Sequence, residues 1–200
     1  MKDNSLIIIP TYNEAENIKA VINKIFSLND LNSILVVDDN SPDGTSNIIR
    51  NLKKNYEDKL FLITREKKDG LGSAYKEGFK WAIEKNFSYV FEMDADLSHD
   101  PNEIKKLKRM LVNGECDVAI GSRYLEGVSV VNWPLSRIFL SYFANIYVRL
   151  ITCMPVKDST SGFVGYKIEA LSSLDINKIK FNGYAFQIEM KFKLWKKKFK

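Results

Sequence analysis

Residues 89–112 read YVFEMDADLSHDPNEIKKLKRMLV, and this stretch decides the fold class. Tyr89–Met93 is a short, apolar-leaning run of the length and composition of a buried strand. It breaks into a polar loop, Asp94-Ala95-Asp96-Leu97-Ser98-His99-Asp100. Pro101 then stands where a first-turn proline belongs, and a helical pattern follows to about Val112. Strand, polar loop and helix thus succeed one another within one short unit. Reading outward, the unit recurs. Strand-like runs are expected at Ser5–Ile9, Ser33–Val37, Leu60–Thr64 and Asp117–Gly121. Between them, Ile18, Val21, Ile22 and Ile25 repeat at helical spacing, Thr45–Asn55 forms a second helical segment, and a third runs from Leu71 to about Asn86. Five strands joined by four helical crossovers predict an α/β fold with a mostly parallel central sheet and helices on both faces. The later part reads differently: an amphipathic stretch at 133–154, a Ser/Gly/aromatic segment at Ser159–Tyr166, and a helix from about Tyr184.

The chain has 200 residues, of which 45% are hydrophobic and 28% charged, the composition of an ordinary globular domain. Neither an internal repeat nor a low-complexity linker breaks it, so a single domain is expected. Cys116 and Cys153 carry no CxxC or zinc spacing, and one histidine, His99, excludes a multi-histidine metal centre. The net charge of +5 is mild and does not indicate nucleic acid. Six lysines nevertheless fall within residues 191–200, a cluster that suits a solvated helix face or an anionic membrane surface. Leu6–Ile9 is too short for a signal peptide or a span. The 133–154 stretch is interrupted by Arg137, Asn145 and Arg149, so it reads as amphipathic rather than membrane-spanning.

In open parallel sheets, ligands bind outside the carboxyl ends of the strands. The residues that follow the five expected strands are Pro10-Thr11-Tyr12-Asn13-Glu14, then Asp38 to Gly44, then Arg65 with Gly70-Leu71-Gly72, then Asp94 to Asp100, then Ser122-Arg123. Most of the unusual polar residues therefore gather on one edge. Asp94 and Asp96, two apart, point to the same side in extended backbone. Two close carboxylates repel unless neutralised, and a hard cation such as Mg²⁺ or Mn²⁺ takes such ligands together with substrate phosphate oxygens. An isolated DxD is usually a pair of solvated turn carboxylates; directly after a strand, on the same edge as the other loops, the metal reading is stronger. Asp38 and Asp39 are adjacent, so their carboxylates diverge, which suits hydrogen bonding to a ribose or base as well as turn and cap chemistry. GxGxxG after the first strand, GxxxxGK[ST] and GxSxG are all absent, which argues against dinucleotide binding, a P-loop and acyl transfer.

Together these features suggest a metal-bridged nucleoside diphosphate, and a resemblance follows from specific segments. IIIPTYNEAENI (7–18), ILVVDDNSPDGT (34–45), DGLGSAYKEGF (69–79), FEMDADLSHDP (91–101), IGSRY (120–124), NWPLSR (132–137), DSTSGF (158–163) and GYAFQIEM (183–190) resemble the dolichol- or polyprenyl-phosphate mannosyltransferase branch of glycosyltransferase family 2. The match runs through the chain in order.

The resemblance implies a GT-A fold and an inverting transfer of mannose from GDP-mannose to a dolichol or polyprenyl phosphate, giving a lipid-linked mannose for glycan assembly. It implies that Pro10, Tyr12, Glu14, Val37 and Asp39 line the nucleotide. It also implies that Asp94, Ala95 and Asp96 meet diphosphate and metal, with Ser98 a further metal ligand. Arg123 is expected to face a donor or acceptor phosphate, and Arg137, Ser141 and Asn145 the acceptor's phosphate and lipid entry. Asp96, Arg123 and Arg137 are the expected catalytic group. Gln187 and Glu189 stand on the helix where a base would sit in relatives that attack with a sugar hydroxyl, and they are read here as structural or positioning residues.

The implied location is peripheral, on the cytoplasmic face of a membrane: the endoplasmic reticulum in a eukaryote, the plasma membrane in a prokaryote. A membrane-anchoring subunit is neither indicated nor excluded. Relatives continue beyond the point matching Lys200 with a further strand and a basic R-x-x-G-x-S-K-type motif, so the 1–200 domain is expected to lack its C-terminal end. The edge motifs discriminate nucleotide bases weakly. A family 2 transferase using UDP-glucose or another sugar nucleotide, and a non-catalytic nucleotide- or lipid-binding remnant, are the alternative readings.

Overall fold

The computed structural model describes residues 4–28, 32–56, 58–124 and 135–200. Strands β1 (Ser5–Thr11), β2 (Asn32–Asp38), β3 (Leu60–Thr64), β4 (Tyr89–Glu92), β5 (Val118–Ile120) and β6 (Val164–Lys167) form one sheet in the order β3-β2-β1-β4-β6-β5. The first four are mutually parallel, whereas β6 runs antiparallel to both β4 and β5. Helices α1 (Ile18–Ser27), α2 (Thr45–Lys53), α3 (Leu71–Glu84), α4 (Glu103–Val112), α5 (Leu135–Thr152), α6 (Ile168–Ser172) and α7 (Gly183–Lys196) accompany them.

The continuous apolar run of β1 is explained by burial on both faces. Leu6 and Ile8 pack with Tyr75, Phe79, Phe186 and Met190 from α3 and α7, while Ile7 and Ile9 pack with Val21, Ile22, Leu107 and Leu111 from α1 and α4. Period-two alternation sends each pair to its own layer.

Two expectations need correcting. The mostly parallel sheet is present, but it has six strands rather than five, and β5 does not pair with β4. The Ser/Gly/aromatic segment at Ser159–Tyr166 runs into β6, which inserts between them. Its short length hid it, and so did Gly165, where a Cβ would lie 2.6 Å from Phe91 Cε1. A residue with a side chain there, which would have restored the alternation, would collide with the ring that fills the layer. The lysine cluster is also not one solvated face: Lys191 is 3% exposed, although Lys196, Lys197, Lys198 and Lys200 are exposed as expected.

The strand ends open a gap. Pairing of β1 with β2 continues to Thr11–Asp38, but pairing of β1 with β4 ends at Ile8–Glu92. Pro10, which has no N–H to donate, stands where β1 has lost its β4 neighbour, so no ladder bond is forfeited on that side. The chain directions diverge there, at the switch point of the sheet, where open α/β sheets bind ligands.

Candidate active site

A groove of about 270 Å³ lies at this gap, lined by Pro10, Tyr12, Glu14, Asp39, Lys68, Leu71, Asp94, Ala95 and Asp96 among others. The adjacent aspartates diverge as expected. Asp38 is fully buried and accepts from Thr11 Oγ1 (2.8 Å), Ser41 Oγ (2.5 Å), Ser46 Oγ (2.7 Å) and the Ser41 N–H (3.1 Å), so it builds the turn. Asp39 turns toward the groove, where Arg65 Nη1 holds it at 2.7 Å and the Asp69 N–H donates to it at 3.3 Å. Arg65 is itself clamped by Ser73 Oγ (2.7 Å), Glu77 (3.3 Å) and Asp69 (3.6 Å). Sequence reasoning noted Arg65 without a role. It also missed Lys68, whose Nζ stands 3.9 Å from the centroid of the Tyr12 ring and forms one rim of the groove.

The 38–45 turn also positions Tyr12 and Glu14. Asn13 takes a left-handed φ of +61°. The N–H groups of Asn13, Glu14 and Ala15 donate to Ser41 Oγ (3.0 Å), Thr45 Oγ1 (3.0 Å) and Asp43 Oδ2 (2.9 Å). Val37, expected in the nucleotide lining, is instead fully buried in the layer under α3. Strand parity directs its side chain there, away from the groove.

Asp94 and Asp96 both line the groove, and Ala95 between them is buried against the other layer. Both carboxylates therefore border one groove, although the strand has ended at Glu92 and the backbone bends from Ala95 onward. Asp94 is half-buried; burial, then the nearby charges of Asp96 and Glu14, push its carboxyl up to about 7. Asp96 accepts from the Ser98 N–H at 2.9 Å, and Leu97 between them adopts φ +60°. Ser98 is exposed and joins the DxD through its backbone. His99 stacks on Phe163 with centroids 4.9 Å apart, and its Nδ1 accepts from the Asp94 N–H at 3.4 Å. Burial pushes His99 down to about 4, so it is a neutral orienting group at neutral pH.

No cluster of three or more His, Cys, Asp or Glu suited to a metal occurs among the described residues. The donor set still fits a hard divalent cation of the Mg²⁺ or Mn²⁺ kind. Two oxygen-bearing side chains whose mutual repulsion raises a carboxyl pKa are relieved by a cation that fills its remaining positions with phosphate oxygens and water.

A second groove, of about 440 Å³, lies beside the first and includes His99, Ile120, Arg123 and Phe163. Arg123 was expected to face a phosphate, and here its fork is engaged by Asp158. Nε donates to Oδ2 at 2.8 Å and Nη2 to Oδ1 at 2.5 Å, the Arg123 N–H donates to Oδ2 at 3.0 Å, and Nη2 also donates to Thr160 Oγ1 at 2.6 Å. The guanidinium is thereby fixed on the groove wall by a carboxylate that sequence reasoning quoted within DSTSGF but did not assign.

Ser141 and Asn145, expected near the acceptor's phosphate, lie on α5, but both are committed internally. Asn145 is buried, and its Oδ1 accepts from the Ser159 N–H and Oγ, each at 2.7 Å. Ser141 Oγ meets the Tyr124 hydroxyl at 2.7 Å. Asn145 therefore holds the 158–163 loop rather than presenting its amide to a ligand. Arg137 falls on α5 with its side chain outside the described residues, and Trp133 and Pro134 also lie outside them. Glu189 accepts from the N–H groups of Lys180 (2.9 Å) and Phe181 (3.0 Å) and pairs with Lys193 at 2.7 Å. Gln187 is buried and donates to Glu92. Both are expected to be structural or positioning residues, and both are hydrogen-bonded to other protein groups here.

Residues 6–175 match the model of glycosyl transferase family 2. The chain is 41% identical over 186 residues to a polyprenol monophosphomannose synthase of Mycolicibacterium smegmatis, covering 93% of this chain and 70% of that protein. It is 36% identical over 188 residues to an undecaprenyl-phosphate mannosyltransferase of Micrococcus luteus, covering 94% and 76%. Among solved structures, glucosyl-3-phosphoglycerate synthase from Mycobacterium tuberculosis, in complex with Mn²⁺ and UDP-glucose, superposes with a TM-score of 0.70 at 21% identity, covering 98% of this chain and 66% of that one. A mannosyltransferase from Pyrobaculum calidifontis, in complex with GDP-mannose and Mn²⁺, gives 0.58 at 21% identity over 86% and 46%. At that identity the likeness to the solved structures is one of fold.

Proposed function

This chain belongs to glycosyl transferase family 2, and from that premise we propose that it moves mannose from GDP-mannose to the phosphate of a dolichol or polyprenyl phosphate, with inversion. The observation that carries the reading is the DxD at the open β1/β4 edge, facing Asp39 and Tyr12 across one groove. The names of relatives at 36–41% identity support the choice of donor and acceptor.

In this reading residues 1–200 act as one catalytic domain, and Asp39, fixed by Arg65, takes the nucleoside end of the donor. Pro10, Tyr12 and Glu14 shape the wall of that subsite, and Asp94 and Asp96 hold a divalent cation. A cation held there would supply charge neutralisation for the diphosphate leaving group. The acceptor is a phosphate monoester with a second pKa of about 6, already a dianion at neutral pH. One of its oxygens attacks the anomeric carbon as the bond from that carbon to the GDP oxygen breaks, so no side chain has to remove a proton. Arg123, and Arg137 on α5, steady the incoming phosphate against the charge of the donor.

The acceptor's hydrocarbon tail places the reaction at a bilayer surface, and α5 supplies a matching face. Phe139, Leu140, Phe143, Tyr147, Leu150 and Ile151 recur at helical spacing and are all exposed. Among the described residues no helix is long and apolar enough to cross a membrane. We propose peripheral attachment at the cytoplasmic face, through this side of α5 and the exposed lysines that follow α7.

The deciding experiment incubates the protein with Mn²⁺ and a polyprenyl phosphate, with either GDP-mannose or UDP-glucose. Mannosyl lipid from GDP-mannose is the expected product. Product from UDP-glucose alone overturns the donor assignment, and nucleotide binding without any product overturns the catalytic reading.

A further inference from the structure

Lys191 occupies a core position. It lies on α7 between Met190 and Leu194, both essentially fully buried, and is itself 3% exposed. A leucine or methionine there would fill similar space without the cost of burying an ammonium, which is several kcal/mol per ion in folded proteins. What lysine adds is three N–H donors, and all three are aimed. Nζ donates to Ser161 O at 2.8 Å, to Ser159 O at 3.1 Å and to Gln187 Oε1 at 3.1 Å.

Each contact leads to the site. Gln187 continues to Glu92, the last residue of β4 and two residues before Asp94, and Glu92 also accepts from the Tyr166 hydroxyl at 3.0 Å. The two carbonyls belong to the 158–163 loop. That loop grips Arg123 through Asp158, and its Ser161 Oγ donates to Gly121 O at 2.7 Å. Its Gly162 backs onto the DxD, since a Cβ there would sit 3.6 Å from Asp94 Oδ2. The loop therefore spans from the arginine to the acidic pair, and from behind one side chain holds it at two backbone carbonyls two residues apart.

We propose that Lys191 is a positioning residue: its ammonium fixes the 158–163 loop against β4, and through Asp158 sets where Arg123 stands relative to Asp94. The consequence for turnover rests on the function proposed above; the consequence for the loop does not.

The test uses Lys191→Met in the full chain, read in two ways. Amide hydrogen exchange follows the N–H of Arg123, bonded to Asp158 Oδ2, and the N–H of Ser159, bonded to Asn145 Oδ1. Both should exchange at least tenfold faster than in the parent, with amides in β1, β2 and α1 unchanged. Turnover of GDP-mannose with polyprenyl phosphate should show kcat lowered ten- to hundredfold, with GDP affinity measured without metal kept within twofold because Tyr12, Asp39 and Lys68 do not depend on the loop. The double variant Lys191→Met/Asp158→Asn should be no slower than Asp158→Asn, since both act on Arg123.

If Lys191→Met does not fold, the charge-balanced Glu92→Gln/Lys191→Met pair is read in its place, with the same expectations. Exchange that quickens uniformly across the molecule, or stays unchanged in the loop, overturns the proposal. Unchanged kcat with a loosened loop also overturns it. Additive losses in the double variant do so as well. Should the parent itself yield no mannosyl lipid, the proposed function fails, and the exchange readout alone decides whether Lys191 sets the loop.

Discussion

Asp158→Asn tests the arrangement around Arg123 most directly. The carboxylate side chain is fully buried and that of Arg123 is 13% exposed, and Asp158 receives three hydrogen bonds from the arginine's backbone and fork. Asparagine preserves the shape but removes the charge, and it turns an NH₂ group toward N–H donors. Breaking one side of such a buried pair costs about 3–5 kcal/mol, a large part of a typical total of about 5–15 kcal/mol. With a urea m-value of about 2–3 kcal/mol/M for a chain this size, the midpoint should fall by about 1–2.5 M.

The pH dependence has a definite sign. Burial pushes Asp158 up, but the hydrogen bonds and charge of Arg123 outweigh it and hold the carboxyl below its ordinary 3.8. The folded pKa lies below the unfolded one, so the stability it contributes is present above the unfolded value and lost as pH falls through the folded one. Parent and variant should therefore differ fully at pH 6–8 and converge only below 3.8. A loss under about 1 kcal/mol, the worth of an exposed pair, would refute the claim that this pair anchors the loop. So would a difference that already fades near pH 6.

Asp96→Asn should leave the urea midpoint unchanged while lowering kcat by at least about 10²-fold, because it removes a cation ligand that is exposed and outside the core; near-parental turnover at ordinary Mn²⁺ would reject the ligand assignment. Mn²⁺ affinity, measured by calorimetry with GDP present, should rise with pH up to about 7 and then level, because the carboxyl of Asp94 holds its proton to about 7; the limiting slope for one displaced proton is about tenfold per pH unit. Leu140→Glu/Leu150→Glu, at side chains 73% and 74% exposed, should abolish flotation with anionic vesicles without shifting the melting temperature; retained flotation would remove α5 as the membrane-facing element.

Much of the fold is local in origin and was legible without coordinates. The apolar run of β1, the spacing of Ile18, Val21, Ile22 and Ile25, and the polar loop after β4 each follow from one segment's own pattern, and each element forms where expected. The divergence of Asp38 from Asp39 follows from strand parity alone and holds, and Asp94 and Asp96 border one groove as expected, although the backbone there has left the strand. These features need only backbone geometry and the burial of a contiguous face.

The remainder depended on which segments become neighbours. β6 pairs residues 72 or more positions apart across β4, and its Gly165 is intelligible only once the Phe91 ring is known to lie against it. Arg123 meets Asp158 across 35 residues, Asn145 meets Ser159 across 14, and Lys191 meets Ser161 across 30. In each case a polar residue that reads as solvent-facing in its own segment is buried, and burial obliges it to find a partner from another. Residue type and spacing determine what each segment can form alone. The partner of a buried charge is determined by the sheet order, which sets which loops are pressed together at the strand ends.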